Sequence, residues 1–505
     1  MSARDYFRPR GDITTVLDLT DRDSQDNTYF PLDTTESWFH RGDHKTTYPS
    51  SVSVQEFTQR GPASWGQKFS FEIGTLPAGD LLQAVILQIK LGSWYNGNII
   101  KQLAEGKITP DLQTPAAFWT YINSLGTAII ETADFIIGDQ TVERITGEFI
   151  KTYFNVYADV NNLIGIATDA TGTIPTQYLA PGAVEETALS PARPFPTEDG
   201  TLFCILPFFF IRTKLNEVFP LLSCNENTVR IDVKLRPFDE VVRNYVGYRE
   251  NCNQTPLNQQ VSFIDGITTL TTLTAQQPPP FADVRILTVC PLIMGTLRDK
   301  FLRRPFEQMV KLSQTFHFEE PLKYIVSKPN SNTDTVEIQL PLELNHPVIE
   351  LLWVFRRKAA IVNNEWANFT PAIGYETNPN KIYPPWLDSA TIRINGSELI
   401  SADGNWFREH IASKHKGGLI AYNSYTYGYS FARYPEQHQP SGTANMSRTT
   451  SMTLNLRVNQ PIQAPLPPQA VFDPAKTAGW EVFVFAIHYN WLRFENGICN
   501  RIFTD

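Results

Sequence analysis

Short apolar–polar alternations run through the first half of the chain. Lys68-Phe-Ser-Phe-Glu-Ile73 puts apolar side chains at 69, 71 and 73, the period of two expected of a strand with one buried face. Residues 51–57 and 83–91 read as strands on either side of it. A long loop then precedes a strand at 133–137, and residues 141–158 mix short-helix and strand character. A second long loop, about 160–200, is rich in Thr, Ala, Gly and Pro. Strands at 202–212 and 228–235 follow it. Residues 1–30 are polar and without period, which predicts an extended arm.

Residues 240–282 are rich in Asn, Gln and Thr and end in Gln-Gln-Pro-Pro-Pro280, as an interdomain linker would. Strand counting assigns them differently. The first half has about seven strands before this segment, and an eight-stranded sandwich needs one more, which residues 283–290 supply. The Pro-rich stretch is then a loop within the first domain, and the boundary falls near 296–304. The second half has its own Pro-rich stretch, 460–474, just before a last strand at 481–488.

That parallel extends to an internal repeat. At a constant offset of 257, Ala133, Phe135, Ile137, Val142, Gly147 and Phe149 align without a gap on Ala390, Ile392, Ile394, Leu399, Gly404 and Trp406. The shared pattern is strand, tight polar turn, then Gly followed two residues later by an aromatic. Upstream, 82–91 resembles 346–355; downstream, 230–235 resembles 453–458. Repeated strand order with loops of different length is what a duplicated domain leaves behind. The expectation is an all-β chain of two tandem eight-stranded antiparallel sandwiches with long loops and short helices: arm 1–30, first domain 31–296, second domain 297–505.

Composition narrows the function. The net charge is −9, whereas a protein that coats nucleic acid needs Lys and Arg to displace counterions, so no direct nucleic-acid binding is expected. Cys204, Cys224, Cys252, Cys290 and Cys499 are odd in number, far apart and without a C-x-x-C pair; they read as small buried hydrophobes in a reducing compartment. The first ten residues contain no apolar signal segment, and the longest apolar run, Leu202-Phe-Cys-Ile-Leu-Pro-Phe-Phe-Phe-Ile211, is too short to span a bilayer and holds a proline. A protein assembled in the cytosol is expected. The phosphate-loop, dinucleotide, zinc-protease and nucleophile-elbow motifs do not occur, which lowers the common enzyme classes.

One stretch is highly specific. Tyr429-Ser-Phe-Ala-Arg-Tyr-Pro-Glu-Gln-His-Gln-Pro-Ser-Gly-Thr-Ala-Asn-Met-Ser-Arg448 is aromatic on entry and then carries Pro-Glu-x-His-Gln-Pro-Ser-Gly-Thr-x-Asn-x-Ser-Arg. It resembles the signature of the major capsid proteins of nucleocytoplasmic large DNA viruses. Residues 343–354, 219–222 and 482–493 agree more loosely, while the first-domain loops and the ending 497–505 depart from the pattern. The resemblance implies a double jelly roll and a structural, non-enzymatic capsid protein with no cofactor, no metal and no catalytic residues. It further implies homotrimers of near-hexagonal outline in an icosahedral shell, contacts with neighbouring capsomers and with minor or cement capsid proteins, a contact with an inner membrane, and a virion protein assembled in the host cytoplasm.

Sharper chemical readings weigh less than bland ones. His438 has Glu436 and Ser441 nearby only in sequence, and Pro435, Pro440 and Gly442 favour a turn braced by Ser, Asn and Gln side chains. His40 and His44 have helical metal-ligand spacing, but Gly42 and Asp43 lie between them. Arg-Gly-Asp at 10–12 and 41–43 is a tripeptide common by chance. N-x-Ser/Thr sequons at Asn253, Asn368, Asn395 and Asn445 matter only in a secretory protein. The main rival is a carbohydrate-binding β-sandwich, lectin or glycosidase, in which some of the 10 Trp and 19 Tyr stack on sugars; core packing is the commoner use of such rings.

Overall fold

In the computed structural model, the described residues are 50–74, 79–90, 118–121, 125–157, 201–211, 218–246, 253–254, 281, 283–327, 335–362, 364, 366–371, 385–415, 425–459 and 479–503. Contacts divide the chain into Met1–Pro49 and Ser50–Asp505, and the described residues lie in the second unit. The arm and the histidines and Arg-Gly-Asp tripeptides before residue 50 fall outside them, as do the long loop at 160–200 and the Pro-rich stretch 460–474.

The first half runs through β1 (Ser50–Thr58), β2 (Lys68–Ile73), β3 (Ala84–Lys90), β4 (Phe118–Tyr121), α1 (Leu125–Ala128), β5 (Ile130–Ile137), β6 (Gln140–Thr146), α2 (Gly147–Tyr157), β7 (Thr201–Ile205), β8 (Val229–Leu235), β9 (Val242–Val246), β10 (Asn253–Gln254) and β11 (Asp283–Ile293). Two antiparallel sheets, β1-β11-β3-β7 and β2-β8-β5-β6, carry its core. Numbered one to eight along the chain, their strands stand in the orders 1-8-3-6 and 2-7-4-5, the paired Greek keys of a jelly roll.

The second half contains α3 (Thr296–Arg303), β12 (Phe306–Phe318), β13 (Ile325–Ser327), β14 (Val336–Leu342), β15 (Pro347–Arg357), α4 (Lys358–Val362), β16 (Leu387–Ile394), β17 (Ser397–Asp403), α5 (Gly404–Lys414), β18 (Tyr427–Ser430), β19 (Ala444–Asn445), β20 (Met452–Val458), β21 (Trp480–Glu495) and β22 (Ile498–Arg501). Its sheets, β12-β21-β15-β18 and β14-β20-β16-β17, repeat the two orders, with β13, β19 and β22 added to β14, β15 and β21. The chain is a double jelly roll.

The repeat holds residue by residue. An offset of 257 carries β5 onto β16, β6 onto β17 and α2 onto α5 with both ends of each element matched. The β5–β6 register slips between Phe135 and Ile136; the β16–β17 register slips at the equivalent Ile392 and Arg393. The hairpin turn enters the left-handed region at Gly138 and at its equivalent Asn395, the two residue types that tolerate it best. The repeated glycine has a steric cause. A Cβ on Gly147 would lie 2.5 Å from the Ile130 carbonyl oxygen, and one on Gly404 would collide with the carbonyl of the equivalent Leu387.

Alternation fills the two interiors. Phe69, Phe71, Val85, Leu87, Ile89, Ile231 and Val233 pack in the first, and Val336, Ile338, Leu340, Trp353, Leu454 and Leu456 in the second. β21 serves both cores: Val482, Val484 and Ala486 point into the second sandwich, whereas Phe483, Phe485 and Ile487 join the first cluster. A strand buried on both faces reads as a continuous apolar run, as this one does.

Two expectations need correction. β4, β9 and β10 form a small sheet of their own inside the long loop read before residue 133 and the segment 240–282; strands of two to five residues are too short to show a period. The strand expected over 202–212 stops at Ile205, because Pro207 offers no N–H to a ladder. The residues beyond it turn inward, where Phe208, Phe209 and Phe210 pack around Phe135 with ring centroids 5.1–5.7 Å away.

The shared glycine gives a direct test. Gly147→Ala and Gly404→Ala should each cost about 1–3 kcal/mol through forced backbone displacement. Urea midpoints should fall in both variants.

Candidate functional site

Where the outer face of the β12-β21-β15 sheet meets the first jelly roll, charged side chains are buried in a connected set. Glu148, in the first turn of α2, accepts from Arg236 Nη2 at 2.8 Å and from Arg356 Nη1 at 2.9 Å. Arg356, near the end of β15, also donates through Nε to Glu481 Oε1 at 2.6 Å, and Glu481 Oε2 lies 2.7 Å from His317 Nε2 on β12. The Trp366 ring caps the set, with the Arg236 guanidinium 3.7 Å and that of Arg356 5.0 Å from its centroid. Its indole N–H donates to the Glu240 carbonyl at 2.8 Å. Arg236, Glu240 and Glu148 come from the first jelly roll and the rest from the second, so the set ties one to the other. The flanking guanidinium groups outweigh burial and hold the Glu148 carboxyl down at about 2.

A second buried set lies along the same junction. Tyr157, at the end of α2, hydrogen-bonds Glu350 on β15. Glu350 Oε2 is 3.0 Å from His415 Nε2, and His415 Nδ1 is 3.3 Å from Glu436 Oε1. Burial alone would lower the His415 pKa; the two carboxylates overcome it and raise it to about 9. Between the two sets, Glu143 on β6 accepts from Ser313 Oγ at 3.0 Å and from the Phe209 N–H at 2.9 Å, and Phe149 of α2 packs on Phe485 at 5.3 Å.

Glu436 belongs to the signature segment, and the rest of that segment is latched as well. Lys311 of β12, almost fully buried, donates to the carbonyls of Pro435 at 2.6 Å and Gln437 at 2.8 Å. Ser441 Oγ accepts from the Tyr434 N–H at 2.9 Å. Gly442 has φ 140°, and a Cβ there would lie 2.6 Å from the Phe431 carbonyl oxygen. Downstream, Asn445 pairs with Pro347, Met446 N–H donates to His346 O at 3.0 Å, and His346 N–H donates to Ser447 Oγ at 2.8 Å. The expected brace of a tight turn by Ser441 is present. Of the residues a catalytic reading would require, Ser441 is engaged by the Tyr434 backbone and Glu436 by His415.

Other sequence candidates resolve locally. Among the described residues, no cluster of three or more His, Cys, Asp or Glu could hold a metal ion. Cys204, Cys224, Cys290 and Cys499 are buried, and burial pushes the Cys290 thiol up to about 11. Asn368 is buried, and its Oδ1 accepts from Thr370 N–H at 3.0 Å and Thr370 Oγ1 at 2.7 Å, so this sequon closes on itself. Among the described aromatic residues, Trp353, Trp386, Trp480, Tyr425 and Tyr427 are buried in the core. The arrangement is a set of interlocking contacts that fixes one sandwich against the other.

Relatives agree with that chemistry. The family model described as major capsid protein N-terminus matches residues 37–268, and the one described as large eukaryotic DNA virus major capsid protein matches residues 303–500. This chain belongs to the major capsid proteins of large eukaryotic DNA viruses. The major capsid protein of Pyramimonas orientalis virus is 23% identical over 434 residues, covering 81% of this chain and 84% of the relative. That of Paramecium bursaria Chlorella virus 1 is 27% identical over 225 residues, covering 40% and 49%. Among solved structures, PBCV-1 VP54 superposes with a TM-score of 0.63 at 17% identity, covering 92% of this chain and 98% of that one. The Faustovirus major capsid protein gives 0.58 at 12%, covering 94% of both chains. As a family member the chain is a structural component of the virion capsid and not an enzyme, and the sugar-binding alternative has no support.

The two buried sets predict opposite pH limits. The His415 pKa is raised in the folded state, so its contribution is complete below about 6.5 and lost as pH rises through about 9. That of Glu148 is depressed, so its contribution is complete above about 4.5 and lost as pH falls through about 2. His415→Gln strands Glu350 and should cost about 3–5 kcal/mol near pH 7. The native melting temperature should decline between pH 7 and 10, and the variant should lose that decline. An unchanged alkaline profile would mean that the His415–Glu350 pair does not carry it.

Proposed function

We propose that three copies of this capsid protein close into one capsomer of near-hexagonal outline. The register-exact duplication carries the reading. Two equivalent lobes per chain present six similar edges in a threefold ring, so a trimer can tile like a hexagon. The junction ion pairs support it by locking the two lobes of each chain into one rigid tile. Light scattering on the purified protein should return about three times the 57.2 kDa subunit mass. A stable monomer at micromolar concentration would count against the trimer.

We further propose the division into an arm at 1–30, a first jelly roll at 31–296 and a second at 297–505. The pairing of β11 with β1 and β3, ahead of the exposed helix α3, supports the second boundary. A chain ending at residue 240 lacks β11 and should be insoluble, because β1 and β3 lose the strand between them. One ending at 296 should be more soluble, and equal behaviour would overturn the boundary. Capsomers of this kind meet neighbouring capsomers and minor or cement proteins, and assembly takes place in the host cytoplasm. The free, buried thiols of Cys204, Cys224, Cys290 and Cys499 support a chain that does not pass through an oxidising compartment.

The arm is the part that would reach inner capsid proteins or membrane head groups. Arg4, Arg8 and Arg10 make its tip basic in an acidic protein, and Tyr6 and Phe7 supply apolar anchors. Deletion of residues 2–25 should leave the oligomer intact and make shell assembly fail or become irregular. Normal shells from the truncated protein would reduce the arm to a passive tail.

A further inference from the structure

The lobe-to-lobe contacts described above are non-covalent, and at one place on the same junction two thiols meet. Cys224 closes the short helical turn Leu221–Ser223 of the first jelly roll, and Cys499 lies in β22, the last strand of the second. Both are buried in the same apolar cluster, at 0% and 2% exposure, and their thiols are in hydrogen-bond contact. The backbones around them are seated on each other. Glu226 N–H donates to the Gly497 carbonyl at 3.1 Å, and Asn227 Nδ2 donates to the Cys499 carbonyl at 3.3 Å across 272 positions of sequence. A Cβ on Gly497 would collide with Asn225 Oδ1, so the hairpin turn comes this close only as glycine. Alongside, Phe219 packs on Phe494, the residue paired with Cys499 in the β21–β22 hairpin, with ring centroids 5.8 Å apart.

A buried free cysteine is commonly just a small hydrophobe. Two of them in contact, each on a backbone fixed by hydrogen bonds to the other's segment, meet the geometric condition that most cysteine pairs fail. Their sulfurs need only a short approach, to about 2.05 Å, to be bonded. We propose that Cys224 and Cys499 are the site of an intrachain disulfide, formed once the capsid leaves the reducing interior of the cell, that bolts the C-terminal hairpin to the first jelly roll. The oxidant is a small-molecule disulfide such as oxidised glutathione. One cysteine thiolate attacks it, forming a mixed disulfide and releasing one glutathione thiolate. The other cysteine thiolate then attacks the protein-bound sulfur, and the second glutathione thiolate leaves as the new S–S bond forms. Two electrons pass from the cysteines to the oxidant, and the two thiol protons end on the released glutathione. Virion surfaces are among the places where such bonds persist, whereas the thiols stay reduced during assembly in the cytosol.

The packing that aligns the thiols also delays their reaction. Burial and the neighbouring thiol push the Cys224 thiol well above its ordinary pKa, so little thiolate is present while the hairpin is closed. The strand that covers the pair is short. β22 has four residues, and Ile498 and Asn500 on either side of Cys499 are exposed, so lifting β22 from β21 uncovers the thiol at small cost in apolar burial. Once the bond has formed, that opening is blocked. The bond also closes a loop of more than half the chain, which restricts the unfolded state and so stabilises the folded one. It lies within one chain, so it is independent of how many copies make a capsomer.

Full-length native protein and the variants C224A and C499A test it. Each is purified reduced, then held with oxidised glutathione at about pH 8.5, the ordinary thiol pKa. Peptide mass mapping without reduction should recover from the native protein a peptide joining Cys224 to Cys499, two hydrogens lighter than its separate parts. The melting temperature should rise by roughly 5 °C over that of the reduced protein. Dithiothreitol should reverse both changes, and neither variant should respond to the oxidant. Cys224 and Cys499 that remain open to alkylation after denaturation, or bonds that run instead to Cys252 or between chains, overturn the proposal. A joined peptide with an unmoved melting temperature overturns the bolt. Should an alanine variant misfold, the mapping of the native protein decides. Released virions lysed in denaturant with excess alkylating reagent should yield the same joined peptide, and alkylated Cys224 and Cys499 there would overturn oxidation on release.

Discussion

Everything in this structure depends on β21 being buried on both sides. A jelly roll needs only the inner face of each sheet to be apolar, so an ordinary last strand would alternate, as β11 does over its first eight residues. In β21 the residues that would face water, Phe483, Phe485 and Ile487, are as apolar as the inward Val482, Val484 and Ala486. The second sandwich therefore cannot be stable with that face in solvent, and the first sandwich becomes part of its core. Two domains that could have moved independently are fused into one body by a single strand.

Apolar burial alone would leave the relative position of the two sandwiches loosely specified, since hydrophobic contact is non-directional. The buried charges supply direction. Arg356 reaches Glu148 in one sandwich and Glu481 in the other, and a shift of a single residue along the strand would leave buried charges unpaired, at a cost of about 3–5 kcal/mol for each broken pair. His415 plays the corresponding part at the far end of α2, where it joins Glu350 to the signature segment through Glu436. The conspicuous Pro-Glu-x-His-Gln-Pro-Ser-Gly run is thus a strap that reaches the inter-sandwich junction, with Lys311 holding its backbone from β12.

Much of the fold was legible because its signals are local. Residues 68–73 show the period of two, and the offset of 257 is visible because a hairpin, its bulge and the glycine under α2 all lie within a few residues of one another. The junction was not legible, because its partners are far apart in sequence: Glu148 and Arg356 are separated by 208 positions, and in isolation Glu148 looks like an ordinary acid in the first turn of a helix. One signal could have exposed it. β15 is apolar at nearly every position and ends in Arg356-Arg357, and adjacent arginines closing a strand buried on both faces require acceptors from elsewhere. The β4-β9-β10 sheet left no comparable trace, since its pairing depends on backbone hydrogen bonds in strands of two to five residues.

The two copies of the jelly roll have diverged in the direction their contacts require. Inside the chain the lobes are covalently joined, so their contact carries no translational entropy cost and can afford polar pairs such as Glu143–Ser313, whose value lies in specificity more than in net stability. At the positions equivalent to Glu143 and Phe149 the second lobe carries Ile400 and Trp406, which pack instead against the edge of its own core.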